Sequence, residues 1–146
     1  MKTFIALIIL INTILTVPGK SAGQTRKIIQ DAQTQTTLML KEVEAAKTEW
    51  DSKKGTPVSP RTLSPEGKLV LVPSKDWTSG FFPGVIWYLY EFTGDKKWEE
   101  QARTFTNQLE KEKLNGGTHD MGFKIYCSFG NGYRLTNDPA YKDIII

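Results

Sequence analysis

Residues 85–109 read VIWYLYEFTGDKKWEEQARTFTNQL and predict two helices joined by a tight turn. Four apolar residues of the second half recur at helical spacing and share one face, namely Trp98, Ala102, Phe105 and Leu109. Gly94 is suited to end the first helix, and Asp95 is suited to cap the start of the second, which should end by Leu114. The stretch therefore predicts a helical hairpin.

Helical patterning continues on both sides of this hairpin. From about Gln24 to Trp50 the apolar residues again fall on one face: Ile28, Ile29, Ala32, Met39, Leu40, Val43, Ala46 and Trp50. Asp138 and Pro139 are suited to the N-cap and first position of a further helix. These segments predict an all-α fold.

Two stretches lack helical patterning. The proline-rich segment from Asp51 to Asp76 predicts a loop, with at most one short strand at residues 69–72. A second irregular stretch is predicted from Asn115 to Asn137.

The first 22 residues have the pattern of a secretory signal peptide. Lys2 precedes an apolar run at residues 4–11, and small residues suited to cleavage follow at Ser21 and Ala22. The alternative, an uncleaved membrane anchor, needs about 20 apolar residues, and Asn12 interrupts this run. We therefore expect residues 23–146 to be a secreted or periplasmic domain that is not membrane-bound after cleavage.

Composition narrows the possible partners and cofactors. The 146-residue chain has a net charge of +3 and no basic block, so nucleic acid is not an expected partner. One histidine and one cysteine cannot form a zinc site by themselves, and neither a calcium loop nor a phosphate loop is present. We therefore expect no metal and no cofactor.

The C-terminal residues indicate a partial sequence. The helix that starts near Pro139 has only eight residues before the chain stops at Ile146, and it ends on three isoleucines without a capping residue. We interpret the sequence as an N-terminal fragment that ends inside a helix.

Aromatic residues cluster in two motifs that the helices do not explain. The first is WTSGFFPG at residues 77–84, and the second is HDMGF at residues 119–123. Flat rings suit the apolar faces of sugars, and Asp120 could supply acid, base or nucleophilic chemistry. From spacing alone, core packing of the rings and a capping role for Asp120 remain the favoured alternatives.

These two motifs, in this order, resemble the N-terminal part of glycoside hydrolase family 88, the unsaturated glucuronyl hydrolases. The resemblance extends from about Ile28 to Ile146 and implies the first helices of an incomplete (α/α)6 toroid. It implies an enzyme that hydrates the 4,5-unsaturated uronic acid at the non-reducing end of oligosaccharides made by polysaccharide lyases.

The resemblance also implies roles for four residues. Asp120 matches a catalytic aspartate with a nucleophilic or charge-stabilising role. Asp120 is also implied to bind substrate, together with Trp77, Phe81 and His119. The proton donor, a second aspartate, is implied to lie beyond Ile146, so the chain alone is expected to be inactive.

Three other functions fit the same residues. They are a carbohydrate-binding module that uses the rings without catalysis, a helical-repeat interaction protein, and an unsaturated rhamnogalacturonyl hydrolase. The unsaturated rhamnogalacturonyl hydrolases are a related family that shares the toroid and the hydration chemistry.

Overall fold

The computed structural model describes residues 20–51, 53 and 55–145, and only the backbone of Lys20 and Ser21. The proposed signal segment therefore lies outside the described residues except at its end, and it remains a prediction. The chain divides into two compact units, Met1–Ala32 and Gln33–Ile146. The described part of the first unit is helical and carries the exposed ion pair between Lys27 and Asp31.

Helix α1 spans Lys20–Thr48 and confirms the long helix predicted from the apolar spacing. Val43 is fully buried, and Met39, Leu40 and Ala46 are half-buried on the same face. Ile28 was expected on this face but is exposed. Within the described residues, no helix combines the length and apolar character needed to cross a bilayer.

The proline-rich segment forms a β-hairpin, where we had expected a loop with at most one strand. Strand β1 spans Pro57–Leu63 and pairs antiparallel with strand β2, Leu69–Pro73. Prolines are tolerated because each strand of a two-stranded sheet has a free edge, and the register shifts next to Pro57 and Pro60. The predicted strand at residues 69–72 is confirmed.

The predicted helical hairpin is confirmed. Helix α2 spans Phe81–Thr93 and ends at Gly94, which has a left-handed backbone (φ 68°). Helix α3 spans Lys96–Asn107, and the Asp95 side chain accepts a hydrogen bond from the Lys97 N–H at 3.0 Å. The four residues predicted to share one face, Trp98, Ala102, Phe105 and Leu109, are all buried. A 3₁₀ turn, Glu110–Glu112, follows helix α3.

The second stretch predicted as irregular is mostly helical, which corrects that expectation. Helix α4, Met121–Ile125, continues through a π-helical turn, Tyr126–Gly130, into helix α5, Asn131–Thr136. Glycines at positions 122, 130 and 132 lower helix propensity, so the sequence did not predict a helix in this segment. Gly132 is required because the rings of Tyr141 and Trp87 lie 2.6 and 2.9 Å from the position that a Cβ would occupy.

Helix α6, Pro139–Ile145, confirms the last predicted helix. The carboxylate of Asp138 accepts a hydrogen bond from the Ala140 N–H at 3.1 Å, as expected for an N-cap. Arg103 of helix α3 donates to the other oxygen of the same carboxylate at 2.7 Å. This contact joins the N-terminus of helix α6 to the helical hairpin.

A buried ion pair fixes helix α4 against the rest of the structure. The fully buried Lys124 Nζ lies 3.6 Å from Glu112 Oε2 and donates to the carbonyl of Lys75 at 2.7 Å. Ser74 Oγ and Asn115 Nδ2 donate to Glu112 at 2.6 and 2.7 Å. The pair therefore connects the end of strand β2, the 3₁₀ turn and helix α4.

These contacts also set the ionisation of Glu112. Burial acts to raise the pKa of its carboxyl group, but the hydrogen bonds from Ser74 and Asn115 and the charge of Lys124 outweigh it. The pKa is therefore lowered from its ordinary value of 4.5.

Gly80 allows the start of helix α2 to pack directly on the backbone of helix α4. A Cβ at position 80 would meet the carbonyl oxygen of Phe123 and would lie 2.7 Å from the Cα of Lys124. Both atoms belong to the backbone, so neither moves away easily.

We expect Gly80→Ala to lower the free energy of unfolding by about 3 kcal/mol, because overpacking against a fixed backbone is costly. Urea unfolding followed by circular dichroism measures the change. Gly116→Ala is the control, because nothing lies within 4 Å of its added Cβ. Equal stability of the two variants would contradict the close approach at Gly80.

We expect Glu112→Gln to lower the free energy of unfolding by about 3 kcal/mol at neutral pH, because the buried Lys124 loses its charged partner. A carboxyl group with a lowered pKa stabilises the fold above pH 4.5, and that contribution is lost as the pH falls through the folded-state pKa.

The stability difference between wild type and Glu112→Gln should therefore shrink below pH 4.5. Urea unfolding across a pH series measures it. Glu110→Gln, which alters an exposed carboxylate in the same turn, should show no such trend. A difference for Glu112→Gln that is independent of pH would refute this account of the ion pair.

Candidate functional site

Three aromatic rings from the two sequence motifs form an exposed cluster. The centroid of the Trp77 ring lies 5.7 Å from that of Phe81 and 5.9 Å from that of Phe123. The Phe81 and Phe123 centroids are 5.6 Å apart, and all three pairs are edge-to-face. Each of the three residues is more than a third exposed, so the cluster presents an apolar surface to solvent.

A compact turn before helix α2 positions Trp77. The carboxylate of Asp76 accepts hydrogen bonds from the backbone N–H and the hydroxyl of Thr78, at 2.9 and 2.6 Å. Its other oxygen accepts from Arg61 of strand β1 at 2.9 Å. Asp76 thus connects the β-hairpin to the turn that carries Trp77 and stabilises this turn. The sequence did not reveal this role of Asp76.

Asp120 lies at the N-cap position of helix α4, but its carboxylate does not cap the helix. Its backbone N–H donates to Thr118 Oγ1 at 3.2 Å, and its carbonyl accepts from the Phe123 N–H at 3.1 Å. The side chain is 25% exposed. The hydrogen bond that would define Asp120 as a helix cap is therefore absent. Its carboxylate can instead contact a ligand.

His119 flanks this carboxylate, as the sequence predicted. Its Nε2 lies 3.5 Å from Asp120 Oδ1, and its side chain is 95% exposed. A ring this exposed can contact a ligand at the rim of the site, but its weak contact with Asp120 does not fix the carboxylate.

Helix α4 brings Asp120 and the ring cluster together. Phe123 follows Asp120 by three residues, which is just under one helical turn, and it contacts both Trp77 and Phe81. Of the predicted site residues, Trp77 and Phe81 are in direct contact, and Asp120 and His119 lie at the start of the helix that completes the cluster. Phe123 was part of the quoted motif but was not predicted as a site residue.

Lys124 is buried and Phe123 is exposed, which no sequence pattern predicted. Hydropathy predicts the opposite, but the ion pair with Glu112 and the hydrogen bond to the Lys75 carbonyl offset the burial of the Lys124 charge. By contrast, Phe82 packs against Phe105 with centroids 4.9 Å apart, so this ring of the first motif belongs to the core.

Among the described residues, no three His, Cys, Asp or Glu side chains are grouped so that they could hold a metal ion. Cys127 is half-buried, and its burial raises the pKa of its thiol, which opposes nucleophilic chemistry. Of the predicted site residues, Asp120 and His119 carry groups that can donate or accept a proton, and Trp77 and Phe81 supply apolar surface.

A second apolar surface runs along helix α2. Its exposed residues recur at helical spacing, namely Phe81, Val85, Tyr88 and Phe92. Phe81 belongs to both surfaces, so this stripe extends away from the ring cluster along the helix.

Comparisons with known proteins give consistent matches, although no protein-family model matches the chain. The unsaturated glucuronyl hydrolase of Formosa agariphila is 52% identical over 89 residues, which are 60% of this chain and 22% of that protein. The unsaturated glucuronyl hydrolase of Bacillus sp. (strain GL1) is 37% identical over 91 residues, covering 60% and 24%. An unsaturated chondroitin disaccharide hydrolase of Streptococcus agalactiae is 31% identical over 72 residues, covering 47% and 18%.

The fold matches a solved structure of the same kind of enzyme. A crystal structure described as an unsaturated glucuronyl hydrolase specific for heparin superposes with a TM-score of 0.60 and 37% identity, over 77% of this chain and 29% of that one. The helices described above are thus part of an (α/α)6 barrel fold. The chain spans about a quarter of the length of the relatives it matches. In sequence and fold this chain is thus similar to part of the unsaturated glucuronyl hydrolases.

Proposed function

We propose that this chain carries part of the active site of a hydrolase that acts on oligosaccharides with a terminal 4,5-unsaturated uronic acid. One observation carries the proposal: helix α4 presents an Asp120 carboxylate that is not used as a cap and, one turn later, the Phe123 ring that completes the exposed cluster. The names of the relatives support the same substrate class.

The cluster suits the ring of an unsaturated sugar. A C4–C5 double bond flattens one side of the pyranose ring, and flat apolar faces pack well on aromatic side chains. Trp77 and Phe81 supply such surfaces, and the exposed His119 can donate a hydrogen bond to a hydroxyl or carboxylate at the rim.

The proposed reaction is the hydration of an enol ether. A proton adds at C4, and positive charge develops at C5 and the ring oxygen. The oxygen of a water molecule bonds to C5, and that water gives up one proton to a carboxylate or to solvent. The resulting hemiketal opens and releases the next sugar, without any change in oxidation state. Asp120 either stabilises the developing charge or orients the attacking oxygen, and both roles need an ionised carboxylate.

The proton donor is proposed to be a second carboxylate, in a part of the relatives' length that this chain does not span. The chain alone should therefore bind the unsaturated sugar without hydrating it. A test of catalysis must supply the remaining helices.

A chimera supplies them. Residues 55–145 of this chain replace the equivalent segment of the Formosa agariphila hydrolase, and loss of the ultraviolet absorbance of the C4–C5 double bond reports turnover. We expect the chimera to be active and Asp120→Asn within it to lower kcat by about 10²- to 10⁴-fold, with saccharide binding retained. Asp143→Asn, which changes an exposed carboxylate on helix α6, is the matched control.

Two results would contradict the proposal. One is a folded chimera that binds the sugar but does not hydrate it. The other is an Asp120→Asn variant whose turnover equals that of the Asp143→Asn control. Loss of saccharide binding together with turnover in Asp120→Asn would instead assign Asp120 to binding and would refute its catalytic role.

We also propose that the chain is exported. The proposal is supported by Lys2, the apolar run at residues 4–11 and the small residues Ser21 and Ala22. N-terminal sequencing of the secreted or periplasmic product should therefore show a first residue of Gly23, and Ile8→Lys should retain the protein inside the cell. Intracellular protein that retains Met1, with none exported, would refute the proposal.

A further inference from the structure

The turn that carries Trp77 is fixed to the interior on one side. Ser79 Oγ donates to the carbonyl of Ser74 at 3.0 Å, and both serines are buried. Ser74 Oγ in turn donates to Glu112 at 2.6 Å. These contacts anchor the backbone before and after Trp77. The direction of the indole ring therefore depends on the residues between the two serines.

The other side of this turn is held from the surface by Arg61. The Arg61 guanidinium donates to Asp76 Oδ2 at 2.9 Å, and Asp76 Oδ1 accepts from the N–H and the hydroxyl of Thr78. Asp76 and Thr78 are the two chain neighbours of Trp77, so one carboxylate fixes the backbone on both sides of it. Within the part of the chain that the structure describes, only Arg61 ties this carboxylate to another element.

The ion pair is placed so that its loss would affect Trp77. The Asp76 side chain is 15% exposed, whereas the Arg61 side chain is 45% exposed. A carboxylate that is mostly shielded from water needs a partner for its charge. Without Arg61 it would turn toward solvent and give up its hydrogen bonds within the turn. The Trp77 ring would then lose the orientation in which it contacts Phe81 and Phe123.

We propose that Arg61 is a positioning residue for saccharide binding, because through Asp76 it holds the Trp77 ring in the orientation that packs on the unsaturated sugar. The inference rests on the proposed function, in which Trp77 contacts that sugar. It gives strand β1, which belongs to neither sequence motif, a part in substrate recognition. Since one guanidinium nitrogen makes the contact, a lysine at this position can replace it in large part.

The test follows the saccharide and the Trp77 ring together in the full chain. Titration with the unsulfated unsaturated disaccharide gives the dissociation constant, and the indole N–H signal of Trp77 in nuclear magnetic resonance reports the ring. Arg61→Gln removes the ion pair, and Arg61→Lys keeps a cation at this position. Lys68→Gln is the matched control, because it removes one positive charge from an exposed side chain of the same β-hairpin.

We expect Arg61→Gln to weaken binding about 3- to 10-fold, Arg61→Lys to weaken it less than about twofold, and Lys68→Gln to match wild type. Without ligand, the Trp77 indole signal should shift in Arg61→Gln, while the signals of the buried Trp87 and Trp98 stay in place. A general loss of folding would move all three signals, so this pattern separates positioning from stability.

A double-mutant cycle tests the route through Asp76. Asp76→Asn removes the charge but keeps an oxygen that can accept from Thr78. In this background Arg61→Gln should change the affinity by less than about twofold, since the partner of Arg61 is already gone. A direct contact between Arg61 and the saccharide would instead give the same loss in both backgrounds, and that result would overturn the proposal.

Other contrary results can be told apart from a failure of the proposed function. If the wild type binds the disaccharide and Arg61→Gln binds it as tightly as Lys68→Gln does, Arg61 has no positioning role and the proposed function stands. The same conclusion follows if the affinity falls while the Trp77 signal stays in place. If the wild type does not bind the disaccharide, the proposed function fails and the role of Arg61 fails with it.

Discussion

The buried ion pair between Lys124 and Glu112 is the constraint on which the site depends. Burying two charges costs several kcal/mol for each ion, and this is offset only when both are paired and hydrogen-bonded. Here Ser74, Asn115 and the carbonyl of Lys75 complete the hydrogen bonding. Breaking the pair would leave a charge without a partner in the interior. Helix α4 therefore has one favourable orientation, the one that keeps Lys124 beside Glu112.

That orientation determines which side chains reach the surface. With Lys124 directed inward, the preceding residue, Phe123, faces outward into the ring cluster. Gly80 makes the same arrangement possible from the other side, because helix α2 begins in contact with the backbone of residues 123 and 124. The two sequence motifs are therefore coupled by packing: one provides the glycine, and the other provides the backbone that lies against it.

Much of the fold was predictable because its signals are local. Gly94 and Asp95 mark the turn of the helical hairpin, and the spacing of Trp98, Ala102 and Phe105 marks its buried face. The β-hairpin was missed because prolines at positions 57 and 60 usually exclude strands, and only the pairing with strand β2 shows that they are tolerated. The helical path from Met121 to Thr136 was missed because its glycines lower helix propensity, and of these glycines only Gly132 is explained by close packing with distant residues, Tyr141 and Trp87.

The site was also predictable in part, because its two motifs are local in the sequence. The resemblance of the two motifs predicted Asp120, Trp77, Phe81 and His119 as site residues, and their roles stay predictions. The structure shows Trp77 and Phe81 in contact and Asp120 at the start of helix α4. Phe123, Asp76 and Lys124 were not predicted to shape it, because their roles arise from contacts with residues 12 to 49 positions away. Such contacts leave no local pattern in a single sequence.

The central claim is that Asp120 and the ring cluster together bind one unsaturated sugar. Nuclear magnetic resonance of the full chain, titrated with the unsulfated unsaturated disaccharide, tests it most directly. The account predicts that the backbone amides of residues 118–123 and the indole N–H of Trp77 shift together, with a single dissociation constant. Shifts confined to other helices, or a Trp77 response without any response at Asp120, would contradict it.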